Sequence, residues 1–274
     1  MKLDISKNAG FCYGVKRALK IVEKAYNDEA IPKPIYIYGE IIHNKHVVND
    51  LTQNGIITLP RDPNLFKTIS GTIIFSAHGI SEELKDEARK ANLNVIDATC
   101  NDVLKTFNVM DENPNLPILY LGIPGHAEAE AALSHKNCHL ITSKEDIDKF
   151  SEECILVSQT TLSKLEIADL ISYALTKPNI KVQDILCHTT TIRQEEVLEA
   201  DGYDLIYVVG DKLSNNSKSL ARLRDNTILI ETYLDINPSD LDRADNILVT
   251  AGASTPEYLI TEVANYIKKY KKIL

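Results

Sequence analysis

The stretch Asn94-Val-Ile-Asp-Ala-Thr-Cys100 decides the fold: a short apolar strand ends on a cysteine and runs into a helix. Two other stretches follow the same plan, one leading from Lys2 to Cys12 and one from Lys181 to Cys187. The three cysteines follow one another at nearly equal intervals, which indicates one supersecondary unit used three times. Open α/β sheets place their chemistry at the carboxyl ends of the strands, so we expect the three thiols to meet at a pseudo-threefold axis.

Strands that alternate with helices along the whole chain predict parallel sheets with helices on both faces. The predicted fold is therefore α/β, a trefoil of three pseudo-threefold-related units with mainly parallel sheets around a central site. We place the units at residues 14–98, 99–186, and 187–274 together with 1–13. The third unit lacks the final strand of its siblings, and we predict that the strand Lys2 to Ser6 completes its sheet.

Helical spacing of apolar residues predicts individual helices within these units. They include Glu82–Ala91, Lys164–Leu175, Arg193–Glu199 and a last helix after Pro256, which is a good first-turn residue.

Composition excludes several classes of protein. Hydrophobic residues make up 44% and charged residues 25% of the 274 residues, as in ordinary globular proteins. The formal net charge of −9 argues against sequence-independent nucleic-acid binding, which needs a basic face. The sequence has neither an apolar signal core nor a run as long as a membrane span, so we expect a cytoplasmic protein with no membrane partner.

The cysteine pattern points to a site assembled from distant parts of the chain. There are five cysteines but no CxxC pair and no HExxH motif, which makes a compact zinc knuckle an unsuitable interpretation. Reduced cytosolic thiols rarely form structural disulfides.

The predicted strand-end loops contain side chains that core packing does not require: ligands, proton-transfer groups and hydrogen-bond donors. They are Cys12, His43 and His78 in the first unit; Cys100, His126, Glu128, Thr160 and Thr161 in the second; and Cys187, Ser214, Asn216 and Ser254 in the third. Their coincidence in register across three units favours a functional site.

Each of these residue types also has an ordinary structural interpretation. A lone buried cysteine is usually inert, Ser214 could be a helix cap, and Glu128 could be a first-turn carboxylate that the helix dipole favours. We interpret the remaining cysteines and histidines in this ordinary way: Cys138, Cys154, His46, His135, His139 and His188.

Three soft thiolates without a paired motif suit an iron–sulfur cluster better than zinc. A cubane has four irons, so Cys12, Cys100 and Cys187 would leave one iron free to bind a substrate. Predicted helix starts at Gly125, Ser214 and Ser254, with nearby histidines, make an anion pocket. This combination suggests reductive chemistry on a phosphorylated small molecule. A zinc site of three thiolates and one water, or a phosphometabolite-binding module without chemistry, remains an alternative.

Nine motifs in order give the chain a family resemblance. They are GFCYGV, IIHNKHVV, FSAHGIS, DATC, GIPGHAEAE, SQTTLS, CHTTTIRQE, GDKLSNNS and TAGAS, and they span residues 10 to 254. With these motifs the chain resembles the LytB-type 4-hydroxy-3-methylbut-2-enyl diphosphate reductases, the iron–sulfur enzymes at the end of the methylerythritol phosphate route to isoprenoids.

The resemblance implies a trefoil of three α/β units around a [4Fe-4S] cluster with one iron not held by cysteine. It implies that Cys12, Cys100 and Cys187 hold the cluster, that Glu128 delivers a proton with Thr160 and His126 beside it, and that an external ferredoxin, flavodoxin or similar carrier supplies electrons. The products would be isopentenyl and dimethylallyl diphosphate. The implied ligands of the diphosphate substrate are His43, His78, His126, Thr160, Ser214, Asn215, Asn216 and Ser254.

The sequence also departs from the family pattern without removing a ligand or the acid. Asn101 and Asp102 stand where the family usually has Pro and an apolar residue, Ile192 replaces an Asn, and Asn215 replaces a Ser. GHPEVEG reads GHAEAEA. A paralogue that keeps the cluster and acts on another phosphorylated substrate is therefore a further alternative.

Overall fold

The computed structural model describes residues 2–183 and 186–272. The strands are β1 (Lys2–Ile5), β2 (Ile35–Tyr38), β3 (Ile57–Leu59), β4 (Thr72–Phe75), β5 (Asn94–Asp97), β6 (Ile118–Leu121), β7 (Cys138–Ile141), β8 (Cys154–Ser158), β9 (Ile180–Val182), β10 (Leu205–Val209), β11 (Thr227–Ile230) and β12 (Asn246–Ala251). The α-helices are α1 (Tyr13–Asn27), α2 (Lys45–Gln53), α3 (Glu82–Lys90), α4 (Asn101–Glu112), α5 (Ala127–Ala132), α6 (Lys144–Ile147), α7 (Lys164–Leu175), α8 (His188–Leu198), α9 (Asn215–Ala221), α10 (Pro238–Arg243) and α11 (Glu257–Lys271).

These strands form three sheets of four strands each, and every pairing between described strands is parallel. The strand orders are β3-β2-β4-β5, β7-β6-β8-β9 and β1-β12-β10-β11. Each sheet thus repeats one plan: β2, β6 and β10 each pair with the strand that follows directly in the chain, and that strand (β3, β7 or β11) forms one edge of the sheet. The predicted α/β class with three units built on parallel sheets is confirmed.

The N-terminal strand lies where the incomplete third repeat needs one. β1 pairs with β12 from Lys2 opposite Asn246 to Ile5 opposite Val249, and the Ser6 amide donates to the Val249 carbonyl oxygen at 2.8 Å. The expected pairing of the first strand with the third sheet is therefore confirmed. The boundaries 14–98, 99–186 and 187–274 with 1–13 stay a prediction.

The described chain divides into two compact bodies that do not follow those boundaries. Body 1 contains residues 2–15, 43–47 and 188–272, and therefore the β1-β12-β10-β11 sheet. Body 2 contains residues 16–42, 48–183 and 186–187, and therefore the other two sheets.

The central strands are buried on both faces. β4, β6, β8 and β10 are buried along their whole length, which explains why their sequences are almost entirely apolar. In β6, successive side chains enter different cores: Ile118 and Tyr120 pack toward α4 and α5, whereas Leu119 and Leu121 pack toward α7.

Several boundaries differ from the sequence-based prediction. The edge strands β3, β7 and β11 were not predicted, because they are three or four residues long and mix polar with apolar side chains. α8 begins at His188 rather than Arg193, and the three threonines of its first turn conceal the helix since β-branched residues have low helix propensity. The strand expected from Lys181 toward Cys187 is observed as β9, ending at Val182, and residues 184 and 185 fall outside the described chain.

The other predicted helices agree closely with the structure. α7 has the predicted bounds, and the preceding residue, Ser163, caps it and forms a capping box with Glu166. α3 ends one residue earlier than predicted, and α11 begins directly after Pro256. None of the described helices is both long enough and apolar enough to cross a membrane.

Deleting residues 2–5 should expose the edge of β12, because the backbone groups that pair with β1 lose their partners. We expect faster amide hydrogen exchange in peptides that cover β12, measured by mass spectrometry. Peptides that cover β2 serve as the internal control and should be unchanged. Faster exchange confined to β2 and its neighbours would contradict the pairing.

Candidate active site

In body 2, the loop that carries Cys100 lies against the loop that carries His78. β4 and β5 are paired neighbours, with Phe75 opposite Asp97, so their carboxyl-terminal loops leave the sheet side by side. The Cys100 amide then donates to the Ala77 carbonyl oxygen at 3.0 Å. The backbone thus fixes the first residue of α4 and its preceding cysteine next to a histidine.

A partly buried ionic network orders the turn just before Cys100. Asp97 accepts from the amide and hydroxyl of Thr99 and pairs with Lys85 Nζ at 2.6 Å. Arg17 Nη1 donates to the Thr99 carbonyl oxygen at 2.8 Å. Burial opposes ionisation of Asp97, but the hydrogen bonds from Lys85 and Thr99 lower its pKa. Lys85, Asp97 and Arg17 were not identified from the sequence, because one lysine among the other charged residues of a helix gives no sign that it is buried.

Glu128 is the buried acid of body 2. It is the second residue of α5 and only 2% exposed. Its Oε1 accepts from the Thr160 amide at 2.7 Å and its Oε2 from the Thr160 hydroxyl at 2.9 Å. The Tyr120 hydroxyl lies 3.3 Å from Oε1. This side chain is therefore not the exposed first-turn charge of the ordinary interpretation.

Burial raises the pKa of Glu128 to about 7, and the hydrogen bonds from Thr160 and Tyr120 act in the opposite direction. Asp102, one of the departures from the family pattern, adds to the rise through its negative charge. A carboxyl with a pKa near neutrality holds a proton that it can also release.

His126 and His78 lie next to one another at the same strand ends. Their rings meet edge to face with centroids 5.7 Å apart. His126 Nδ1 accepts from the Glu128 amide at 3.1 Å, which assigns the proton of the neutral ring to Nε2. His78 Nδ1 lies 3.2 Å from Ser76 Oγ. Each ring thus has its Nδ1 engaged by a neighbouring polar group.

Thr160 connects the acid to the third cysteine. Its amide and hydroxyl donate to Glu128, and its carbonyl oxygen accepts from the Cys187 amide at 3.1 Å. The neighbouring Gln159 is fully buried, and its Oε1 accepts from the Ile123 amide at 2.9 Å. Body 2 therefore links Cys100, the two histidines, Glu128 and Cys187 through consecutive contacts.

In body 1, the loops that carry Cys12 and Asn216 meet at Ala253. The Cys12 amide donates to the Ala253 carbonyl oxygen at 3.0 Å, and the Ala253 amide donates to Asn216 Oδ1 at 2.9 Å. Asn216 Nδ2 lies 3.3 Å from Thr190 Oγ1 on α8. These bonds hold the first cysteine beside a loop rich in hydrogen-bond donors.

The loop that carries His43 belongs to the same cluster of loops. Ser254 Oγ donates to the His43 carbonyl oxygen at 3.0 Å. The buried Asp211 accepts from the amides of Lys45 and Leu213 at 3.0 and 2.7 Å. Asp211 was not identified from the sequence, although it stands inside the GDKLSNNS motif.

Ser214 is a helix cap, the structural role expected of a serine directly before a helix. It caps α9, and its Oγ accepts from the Ser217 amide at 3.4 Å, which leaves its hydroxyl hydrogen for another acceptor. Asn215 is the first residue of α9 and is half-buried. α11 begins three residues after Ser254, so Ser254 precedes that helix without capping it.

The five cysteines form no disulfide and fall into two groups. Cys12, Cys100 and Cys187 are partly exposed in loops, whereas Cys138 and Cys154 are buried in β7 and β8. Burial raises the pKa of Cys138 to about 12, which fits an inert thiol. Within residues 2–183 and 186–272, no three His, Cys, Asp or Glu side chains form a group that could hold a single metal ion.

Comparison with known proteins identifies the family of this chain. The model of the family described as LytB protein matches residues 3–268. The chain belongs to the LytB family. Its motif-based recognition is thereby confirmed, and the family consists of iron–sulfur enzymes.

The relatives carry one enzyme name. A Geobacillus protein (strain WCH70) and a Listeria monocytogenes protein, both named 4-hydroxy-3-methylbut-2-enyl diphosphate reductase, are 37% and 39% identical to this chain. Each alignment covers 95% of this chain, with 88% of the Geobacillus protein and 84% of the Listeria protein.

Two solved structures are similar over nearly the whole chain. The Plasmodium falciparum E-1-hydroxy-2-methyl-but-2-enyl-4-diphosphate reductase aligns with a TM-score of 0.90 at 29% identity, covering 97% of this chain and 88% of its own. A structure of (E)-4-hydroxy-3-methyl-but-2-enyl diphosphate reductase, described as the terminal enzyme of the non-mevalonate pathway, aligns with a TM-score of 0.70 at 29% identity, covering 98% and 100%.

The raised pKa of Glu128 predicts a pH dependence of stability. Between the ordinary pKa of 4.5 and the folded value of about 7, the unfolded chain loses this proton and the folded chain keeps it. The free energy of unfolding should therefore fall with rising pH through this window, by about 3 kcal/mol in total for this one group.

Denaturant unfolding of the wild type and the Glu128→Gln variant at several pH values measures this effect. As pH rises from 4.5 to 7, the free energy of unfolding of the wild type should fall relative to that of the Glu128→Gln variant. The matched control is Glu112→Gln, at the exposed end of α4. A difference between wild type and Glu128→Gln that stays constant with pH would show that Glu128 ionises normally.

Proposed function

We propose that this chain reduces 4-hydroxy-3-methylbut-2-enyl diphosphate to isopentenyl and dimethylallyl diphosphate, the last step of the methylerythritol phosphate route. Two electrons and two protons enter, the carbon–oxygen bond of the 4-hydroxyl group breaks, and that oxygen leaves as water. Membership of the LytB family and the shared name of the relatives support the proposal. The observation that carries the proposal is the position of Glu128: this buried carboxyl, whose pKa is raised to about 7, lies beside the loops of Cys100 and Cys187.

Cys12, Cys100 and Cys187 would hold a [4Fe-4S] cluster with one iron not held by cysteine. The donor chemistry fits, since these three thiols form no disulfide, are partly exposed and lie in loops, and their backbone amides are hydrogen-bonded. Each cysteine of a cubane binds a different iron, so the three thiols need not surround one ion. When bound, the cluster supplies electrons and an iron site for the substrate oxygen.

The diphosphate would bind to His, Ser, Thr and Asn side chains that donate hydrogen bonds, and no Lys or Arg is among its proposed ligands. Body 2 offers His78, His126 and the Thr160 hydroxyl, and body 1 offers its own set on loops joined by hydrogen bonds. That set is His43, Ser214, Asn215, Asn216 and Ser254. Each hydrogen bond to a charged phosphate oxygen contributes about 1.5–3 kcal/mol.

Glu128 would protonate the leaving hydroxyl group. Hydroxide is a poor leaving group and water a good one, and a positioned general acid contributes typically 10²–10⁴-fold. Oε1 of Glu128 accepts two hydrogen bonds, so the transferable proton belongs on Oε2, beside the Thr160 hydroxyl. Thr160 thus orients the acid, and His126 holds the start of its helix.

The electrons would come from an external ferredoxin, flavodoxin or similar carrier. The reaction consumes two electrons in each turnover, and amino-acid side chains cannot supply them repeatedly. None of the five cysteines forms a disulfide, which supports a reducing compartment and therefore the cytoplasm.

Anaerobic turnover tests the function directly. With a chemical reductant as electron source, the protein should convert 4-hydroxy-3-methylbut-2-enyl diphosphate to the two products, measured by chromatography. The Glu128→Gln variant keeps shape and hydrogen bonding but lacks the proton, so kcat should fall by about 10²–10⁴-fold. Conversion of a different phosphorylated alcohol alone would favour the paralogue, and near-normal kcat in Glu128→Gln would assign the acid elsewhere.

The cysteine assignment has its own test. Cys12→Ser, Cys100→Ser or Cys187→Ser should remove iron and the brown absorption of anaerobically purified protein, because a hard alkoxide replaces a soft thiolate poorly on iron. Cys138→Ser, in the buried β7, is the matched control and should keep both. A colourless protein with bound zinc would support the zinc site, and bleaching only in Cys138→Ser would contradict the assignment.

A further inference from the structure

Tyr120 is a buried phenol that contacts the proposed acid and has been given no role of its own in the reaction described above. It lies in the centre of β6 and is fully buried, on the face of the strand that packs against α4 and α5. The chain provides room for its ring. A Cβ at Gly122 would approach the ring to 2.5 Å, and the neighbouring positions of α5 include the small Ala129 and Ala132.

The Tyr120 hydroxyl reaches only one end of the catalytic carboxyl. It donates to Glu128 Oε1 at 3.3 Å, the same oxygen that accepts from the Thr160 amide at 2.7 Å. Two donors on Oε1 keep that oxygen an acceptor. Oε2, which faces the Thr160 hydroxyl, is then the oxygen that can carry a proton.

We propose that Tyr120 is a positioning residue of this enzyme: its hydroxyl holds Glu128 Oε1 as an acceptor, so that the transferable proton lies on Oε2, and it stabilises the carboxylate that remains after transfer. This proposal rests on the proposed acid role of Glu128. Release of the proton creates a negative charge in a site closed to water, where a fixed hydrogen-bond donor has a large effect. A phenylalanine would fill the same space without this donor.

Other charged and polar groups lie close to the Glu128 carboxyl or to Tyr120. Asp102 on α4 acts against its ionisation, Thr160 after β8 favours it, and His126 accepts from the Glu128 amide. Cys138 on β7 lies near the phenol of Tyr120. Among these groups, only Thr160 and Tyr120 donate hydrogen bonds to the carboxyl oxygens.

The third repeat contains a natural control for this arrangement. Tyr207 is the third residue of β10, as Tyr120 is the third residue of β6, and it is also fully buried. Its hydroxyl has no hydrogen-bond partner among the described residues. The same substitution at the two positions therefore separates loss of a buried hydroxyl from loss of the contact with Glu128.

The test compares Tyr120→Phe with Tyr207→Phe in the cluster-containing protein. Infrared difference spectra against pH report protonation of the Glu128 carboxyl, and Glu128→Gln identifies its band. In Tyr120→Phe the pKa of Glu128 should rise by about one unit, a tenfold change in proton affinity. The alkaline limb of the kcat profile should move by the same amount, and kcat should fall about threefold to tenfold with KM unchanged.

Tyr207→Phe should leave the Glu128 titration and kcat unchanged. The proposal is overturned if the Glu128 titration in Tyr120→Phe is unchanged or moves to lower pH, or if both variants shift it equally. The titration needs no substrate, so it remains decisive even if the protein reduces another compound. A normal infrared shift without turnover would count against the proposed substrate and not against the role of Tyr120.

Discussion

Thr160 uses all three of its polar backbone and side-chain groups to join an acid to a cysteine. Its amide and hydroxyl bind the two oxygens of Glu128, and its carbonyl oxygen accepts from the Cys187 amide. A buried carboxyl without such donors would carry a large desolvation cost in its charged form. With them, its pKa stays near neutrality, so the acid can both hold and release a proton. The placement of Glu128 beside the predicted cluster ligand Cys187 follows from this one residue.

The parallel sheets explain why such contacts are possible. Carboxyl ends of neighbouring parallel strands lie at one edge, so loops far apart in sequence leave the sheet together. In body 2 this brings Cys100 to Ala77, and in body 1 it brings Cys12 to Ala253 and Asn216. The backbone amide of each predicted cluster ligand thereby donates a hydrogen bond to a carbonyl oxygen of a neighbouring loop. The repeated unit supplies the same geometry three times with different side chains.

Much of this arrangement could be predicted from the sequence, because buried parallel strands and regularly spaced cysteines leave strong patterns. The long apolar runs of the central strands and the missing strand of the third repeat led to the correct sheets. The short edge strands could not be predicted, because three or four residues are too few to show a clear alternation of polar and apolar side chains. The threonines after Cys187 concealed the start of α8, because they have low helix propensity. The contact of Tyr120 with Glu128 could not be predicted: an apolar strand indicates a buried ring, but only packing decides where its hydroxyl points.

The central proposal is that Cys12, Cys100 and Cys187 would hold one cluster and would leave one of its irons for the substrate oxygen. Mössbauer spectroscopy of the ⁵⁷Fe-loaded protein, with and without 4-hydroxy-3-methylbut-2-enyl diphosphate, tests it most directly. An iron without a cysteine ligand should give a separate signal of about one quarter of the total iron in a four-iron cluster. Substrate should shift that signal and leave the rest unchanged. Equivalent signals from all irons, or a spectrum that substrate does not alter, would contradict the account.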